Sequence, residues 1–175
     1  MKLLARYKPE LVAAAHPGTK LTIQHVLLDD LAEPRLVATD GVALVVVPVE
    51  TDSEDKAGLI PATALRAARK INPEAEHLFL RVNGKVEIPE ALTLFDRPVG
   101  TFPLWREIVP KNHTARITLD INRLMSLAQA LGATAKDGFI TISFDQTDER
   151  SNAVLSITKR RNDPAVGYLA QSTEL

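Results

Sequence analysis

The spacing of apolar and polar positions changes from a strand rhythm to a helix rhythm and back three times along this chain. In the first unit Leu3 to Tyr7 predicts a short strand, and Lys8-Pro9-Glu10-Leu11 opens a brief helix, since a first turn accommodates proline. His16-Pro17-Gly18 ends that helix. Leu21 to Leu28 predicts a strand, and Arg35 to Val49 predicts a hairpin folded at Asp40-Gly41, a dipeptide suited to the positive dihedrals of a tight turn. Val42 to Val47 is six apolar residues without a break, which predicts a strand covered on both faces.

After an acidic stretch from Glu50 to Lys56 the order recurs. Gly58 to Ile60 predicts a strand, and Pro61 opens a helix over Ala62 to Asn72. On that helix Pro61, Ala64, Leu65, Ala68 and Ile71 share one face, and Arg66, Arg69 and Lys70 share the other. His77 to Val82 and Lys85 to Ile88 flank Asn83-Gly84, a second hairpin signal. A third unit begins at Ile117 to Leu119. Asp120 is placed to cap a helix that runs to Leu131 and stops at Gly132, with Ile121, Leu124, Met125, Ala128 and Leu131 as its buried stripe. Strands follow at Phe139 to Phe144, Ala153 to Thr158 and Val166 to Ala170.

Repeated strand-helix-strands units predict an α+β fold, antiparallel sheets with the helices on one face. Residues 1-105 form a domain of two repeats in this reading, and 106-175 a third repeat, or half domain. Phe102 to Pro110, bounded by prolines, connects the units, with Trp105 as a buried anchor between them.

Charge narrows the function. Lys and Arg number 21 against 22 Asp and Glu, a net charge of -1, so any attraction to phosphate must come from local clustering. Cysteine is absent, which excludes disulfides and thiolate metal sites. No apolar run approaches the ~18 residues of a membrane span, so the expectation is a soluble cytoplasmic protein. His16, His25, His77 and His113 form no i, i+4 pair, and no nucleophile elbow or phosphate-binding glycine pattern is present. Asp29-Asp30 is expected to be a polar turn, and Lys159-Arg160-Arg161 a solvated loop. No catalytic role, metal or cofactor is expected.

Ala38-Thr39-Asp40-Gly41 before an apolar strand, Ile60-Pro61-Ala62 opening a helix, and Phe102 to Asn112 (FPLWREIVPKN) together resemble the bacterial sliding clamp, the β subunit of the replicative DNA polymerase. The resemblance implies a non-catalytic processivity factor whose ring of helices surrounds double-stranded DNA independently of sequence, through phosphate contacts. It would place Arg66, Arg69, Lys70, Arg123 and Lys8 against DNA. It would also place Thr39, Asp40, Gly41, Leu44, Pro103, Ile108 and Leu169 around a cleft for short peptide motifs of replication proteins. Three departures stand out: Val42-Ala43 where the family usually has His-Arg, Glu107 where a basic residue is common, and Ala170-Gln171-Ser172 in place of a methionine-proline tail.

Three repeats are half of a familiar clamp subunit. Four copies would supply the full number for a closed homo-oligomeric ring. The alternative is a clamp-derived interaction module, an accessory or competitor of the clamp, that never encircles DNA.

Overall fold

A computed structural model describes residues 1–13, 21–29, 33–109, 119–130, 141–143, 154–158 and 167–170. The chain divides into two compact units, Met1–Val109 and Pro110–Leu175. The first contains β1 (Lys2–Leu4), α1 (Glu10–Ala13), β2 (His25–Asp29), β3 (Arg35–Thr39), β4 (Leu44–Pro48), β5 (Gly58–Pro61), α2 (Ala62–Ile71), β6 (His77–Phe79), β7 (Arg81–Val82), β8 (Lys85–Ile88), β9 (Thr93–Asp96) and α3 (Trp105–Ile108). The second contains α4 (Ile121–Ala130), β10 (Thr141–Ser143), β11 (Val154–Thr158) and β12 (Gly167–Ala170).

The two repeats of the first unit exchange their leading strands. β5, which opens the second repeat, pairs antiparallel with β2 of the first, giving the order β4-β3-β2-β5. Reciprocally, β1 pairs with β6. Leu80 joins β6 to β7: its N–H donates to the Met1 carbonyl at 3.0 Å, and its carbonyl accepts from the Met1 ammonium at 2.7 Å. The two-stranded sheet β1-β6 thus leads through Leu80 into the three-stranded sheet β7-β8-β9. Each repeat completes the other's sheet, so neither buries its hydrophobic face alone.

The main core lies between these sheets and the helices. Leu3, Val26, Leu28, Leu36, Ile60 and Leu65 are fully buried there. α2 contributes Ala64, Leu65 and Ala68, as its apolar spacing predicts, but Ile71 in the last turn is 40% exposed. A smaller cluster covers the opposite face of the first sheet, where Val37, Leu59 and Phe102 are buried with Leu27, Leu44, Val46 and Trp105 packed around them.

The apolar run of β4 is covered on both faces as expected from Leu44 to Val47, but not at Val42. Val45 and Val47 pack on the main core, while Leu44 and Val46 pack on the smaller cluster. Both faces are therefore apolar, yet β4 is an edge strand, so Val45 and Val46 are only half-buried and Val42, in the turn, is 88% exposed. The turn is also longer than a two-residue hairpin, because Thr39 pairs with Leu44. Asp40 Oδ1 accepts from the N–H groups of Val42 (2.8 Å) and Ala43 (2.7 Å), and Gly41 takes φ +93°.

In the second unit Asp120 caps α4 as expected, its Oδ1 accepting from Asn122 N–H at 2.9 Å and Arg123 N–H at 3.3 Å. The buried stripe needs correction. Ile121 and Met125 are exposed, and the covered side is centred on Leu124, Leu127 and Ala128, about one residue further round the helix. Leu131, Gly132 and the Lys159-Arg160-Arg161 stretch lie outside the described residues.

Candidate functional site

α2 forms because Pro61 pre-sets the first turn and helix-favouring alanines separate its apolar positions. Its last turn carries Arg69 and Lys70 and no acid, an arrangement favoured by the helix dipole. Arg66 and Lys70, four residues apart, are both exposed.

Arg69 does not share that face. Its side chain is 17% exposed, and its Nε meets Glu10, itself 2% exposed, at 2.5 Å. Nη1 donates to the Ala5 carbonyl and Nη2 to the Tyr7 carbonyl. The basic face is therefore narrower than the sequence predicts, since Arg69 pins the segment before α1 onto α2. The sequence held one signal: Arg69 follows Leu65 by four residues, and Leu65 is fully buried. Lys8, just past the pinned segment, is exposed. Arg123, in the second unit, is 78% exposed and pairs with Asp120 at 3.5 Å.

Of the expected cleft residues, Thr39 is buried and donates its hydroxyl to the Ala43 carbonyl at 2.7 Å while accepting from Gly41 N–H. With Asp40 it shapes the turn. Leu44 packs with Val46 and Val37 on the outer face of the sheet. Pro103 is exposed on the connector, and Ile108 ends α3. Leu169 belongs to the second unit, in β12 opposite Leu155, and its side chain lies outside the described residues.

One open groove of the first unit is built mainly by the connector. About 450 Å³ in volume, it is walled by Leu27, Asp29, Phe102, Pro103, Leu104 and Trp105. Trp105 donates its indole N–H to Asp29 Oδ2 at 2.8 Å, and Arg106 reaches the same oxygen at 3.0 Å while lying 4.9 Å over the Trp105 ring. These partners all belong to the first unit, where Trp105 is a half-buried anchor on the sheet. Asp29, expected in a polar turn, instead ends β2 and holds Trp105, and Phe102, expected only as connector, is buried against the sheet. Phe102 carried a signal, as an aromatic ahead of Pro103.

Among the described residues no three His, Cys, Asp or Glu side chains are grouped to hold a metal, and no helix is long and apolar enough to cross a membrane.

Compared with solved structures, this arrangement matches bacterial sliding clamps. The DnaN sliding clamp of Bartonella birtlesii, solved bound to griselimycin, superposes with a TM-score of 0.70 at 18% identity, covering 99% of this chain and 51% of that one. This chain has a sliding-clamp fold. The Caulobacter crescentus β clamp aligns with a TM-score of 0.61 at 20% identity over 98% of this chain and 50% of its own. The Bacillus subtilis clamp gives 0.66 at 14% identity, over 97% and 48%. The chain thus spans about half the length of these clamps. No protein-family model and no curated protein sequence matches it.

Proposed function

We propose that this protein is a non-catalytic, cytoplasmic sliding-clamp-like processivity factor that tethers a polymerase to double-stranded DNA as a homo-oligomeric ring. The observation that carries this reading is the acid-free face of α2, with Arg66 and Lys70 exposed, on a chain with a clamp fold. Lys8 and Arg123 add exposed positive charge. Contacts of this kind neutralise phosphates without reading bases, which is what a sliding tether requires. Partner peptides would use aliphatic anchors against Leu44, Pro103 and Ile108, beside the turn of Thr39, Asp40 and Gly41.

Half a clamp's length needs more than one copy to close a ring, so assembly decides the reading. Retention on nicked circular DNA with loss from the linearised form, together with a ring-sized mass in solution, is the expected result. A strict monomer that leaves circular and linear DNA equally would overturn it. Glu107, exposed on α3 where the clamp family favours a base, supports a second reading as an interaction module that binds a protein partner without encircling DNA.

A further inference from the structure

The backbone gripped by Arg69 carries a cation that the sequence reading did not assign. Arg69 holds the carbonyls of Ala5 and Tyr7, and on the other side Ala5 N–H donates to the Glu76 carbonyl at 2.8 Å. Between those carbonyls stands Arg6, and directly after them Lys8, both with exposed side chains. Arg6 is itself restrained. Its Nη2 lies 3.3 Å from the Tyr7 hydroxyl and its guanidinium carbon 5.1 Å from the centroid of the Tyr7 ring, while Tyr7 packs against the main core.

Glu10, just after this strap, is neutralised, being 2% exposed and paired with Arg69. Glu74 and Glu76 are exposed beyond the C-terminal end of α2, with the Glu76 backbone beside Ala5 of the strap. Lys8, Arg66 and Lys70 have no ion pair among the described residues.

We propose that Arg69 is a positioning residue that locks the Ala5–Lys8 strap to α2, so that Arg6 joins Lys8, Arg66 and Lys70 in one patch contacting successive phosphates of a nucleic-acid backbone. This rests on the DNA reading above. A guanidinium laid on a tyrosine ring keeps outward-facing N–H groups in a planar fork that matches two phosphate oxygens. Because the strap is held before DNA arrives, little side-chain freedom remains to be lost on binding.

The test uses the full chain and a short linear duplex, with affinity measured across a salt series. Each phosphate contact contributes about -0.9 to the slope of log K against log salt. Arg6→Gln is expected to reduce the slope by roughly that amount, and Lys70→Gln by a similar amount. Arg69→Lys keeps the charge, but a single ammonium nitrogen cannot span the separate positions at which Nε, Nη1 and Nη2 meet Glu10 and the two carbonyls. In that background Arg6→Gln should change nothing further, while Lys70→Gln keeps its own effect.

If the wild-type chain binds and Arg6→Gln leaves the slope unchanged, this inference is wrong and the DNA reading stands. An Arg6→Gln effect of full size in Arg69→Lys overturns the positioning role. A wild-type chain with no affinity for duplex at low salt overturns both. Should Arg69→Lys fail to fold, Glu10→Gln, which loosens the same guanidinium, takes its place.

Discussion

Asp29 holds Trp105 with one carboxylate oxygen, accepting the indole N–H at 2.8 Å, and the same oxygen receives Arg106 at 3.0 Å. The end of β2 is thereby tied to α3, and the connector lies across the outer face of the first sheet with Phe102 buried beneath it. Hydrogen bonds to a charged group contribute about 1.5–3 kcal/mol, and partial exposure of Arg106 reduces its share. Asp29→Ala should lower stability by about 2 kcal/mol in urea unfolding and shift the fluorescence of Trp105, the only tryptophan, to the red. Trp105→Phe removes the donor together with part of the packed ring, so a loss of stability is expected there too.

The sequence is most legible where partners are close along the chain. Asp40 and Asp120 bond to N–H groups two and three residues on, so local composition alone identifies the turn and the cap. The α2 stripe is legible for the same reason, since helical spacing aligns Ala64, Leu65 and Ala68. Arg69 bonds to Glu10, 59 residues away, and Trp105 to Asp29, 76 away. A helical wheel records direction from the axis and not what stands opposite, so it groups Arg69 with Arg66. Strand exchange is hidden likewise, because β1 reads as a first-repeat strand until β6 is brought beside it.

Acid should unfold this chain partly through Asp55. Its side chain is 4% exposed, contacts the buried Met1 ammonium at 2.6 Å and accepts from Val82 N–H at 2.8 Å and Asp52 N–H at 2.9 Å. Burial alone raises its pKa, but hydrogen bonds from the ammonium and both backbone groups, with the ammonium's charge, bring it below the usual 3.8. The folded state thus binds this proton more weakly than the unfolded state. The stabilisation is complete above that ordinary value and is lost as pH falls below it and through the folded value. Asp55→Asn should cost about 3 kcal/mol near neutrality by leaving the buried ammonium only the exposed Asp52, at 4.0 Å, as a carboxylate partner, and should flatten the acid limb of stability against pH. His25 acts in the same direction at higher pH: burial lowers its pKa from 6.5, so stability declines as pH falls below that value.

Gly58 should not tolerate alanine. Its φ is +129°, and an added Cβ would stand 2.6 Å from Nη2 of Arg97. That guanidinium has little room to yield, since Nε donates to the Leu59 carbonyl and Nη1 to those of Lys56 and Asn83. Gly58→Ala should lower stability by about 1–3 kcal/mol. Adding Arg97→Ala removes the clash and leaves the backbone strain, so the second substitution should cost less in Gly58→Ala than in the wild type. Additive losses in chemical denaturation would refute the proposed clash.

Charge reversal on α2 separates a DNA contact from an ordinary solvated face. Arg66 and Lys70 are exposed and have no ion pair among the described residues, so Arg66→Glu with Lys70→Glu should change stability by no more than about 0.5 kcal/mol. The helix dipole sets the sign of that small change, since Lys70 leaves the last turn and a carboxylate enters it. Duplex affinity at low salt should fall by far more than the stability changes. Loss of two phosphate contacts would reduce the salt slope by about 1.8, and repulsion from the new carboxylates adds to the loss. A melting temperature near wild type combined with weak binding assigns the face to DNA. Unchanged affinity would leave Arg66 and Lys70 as solubilising charges and return the fold to the interaction-module reading.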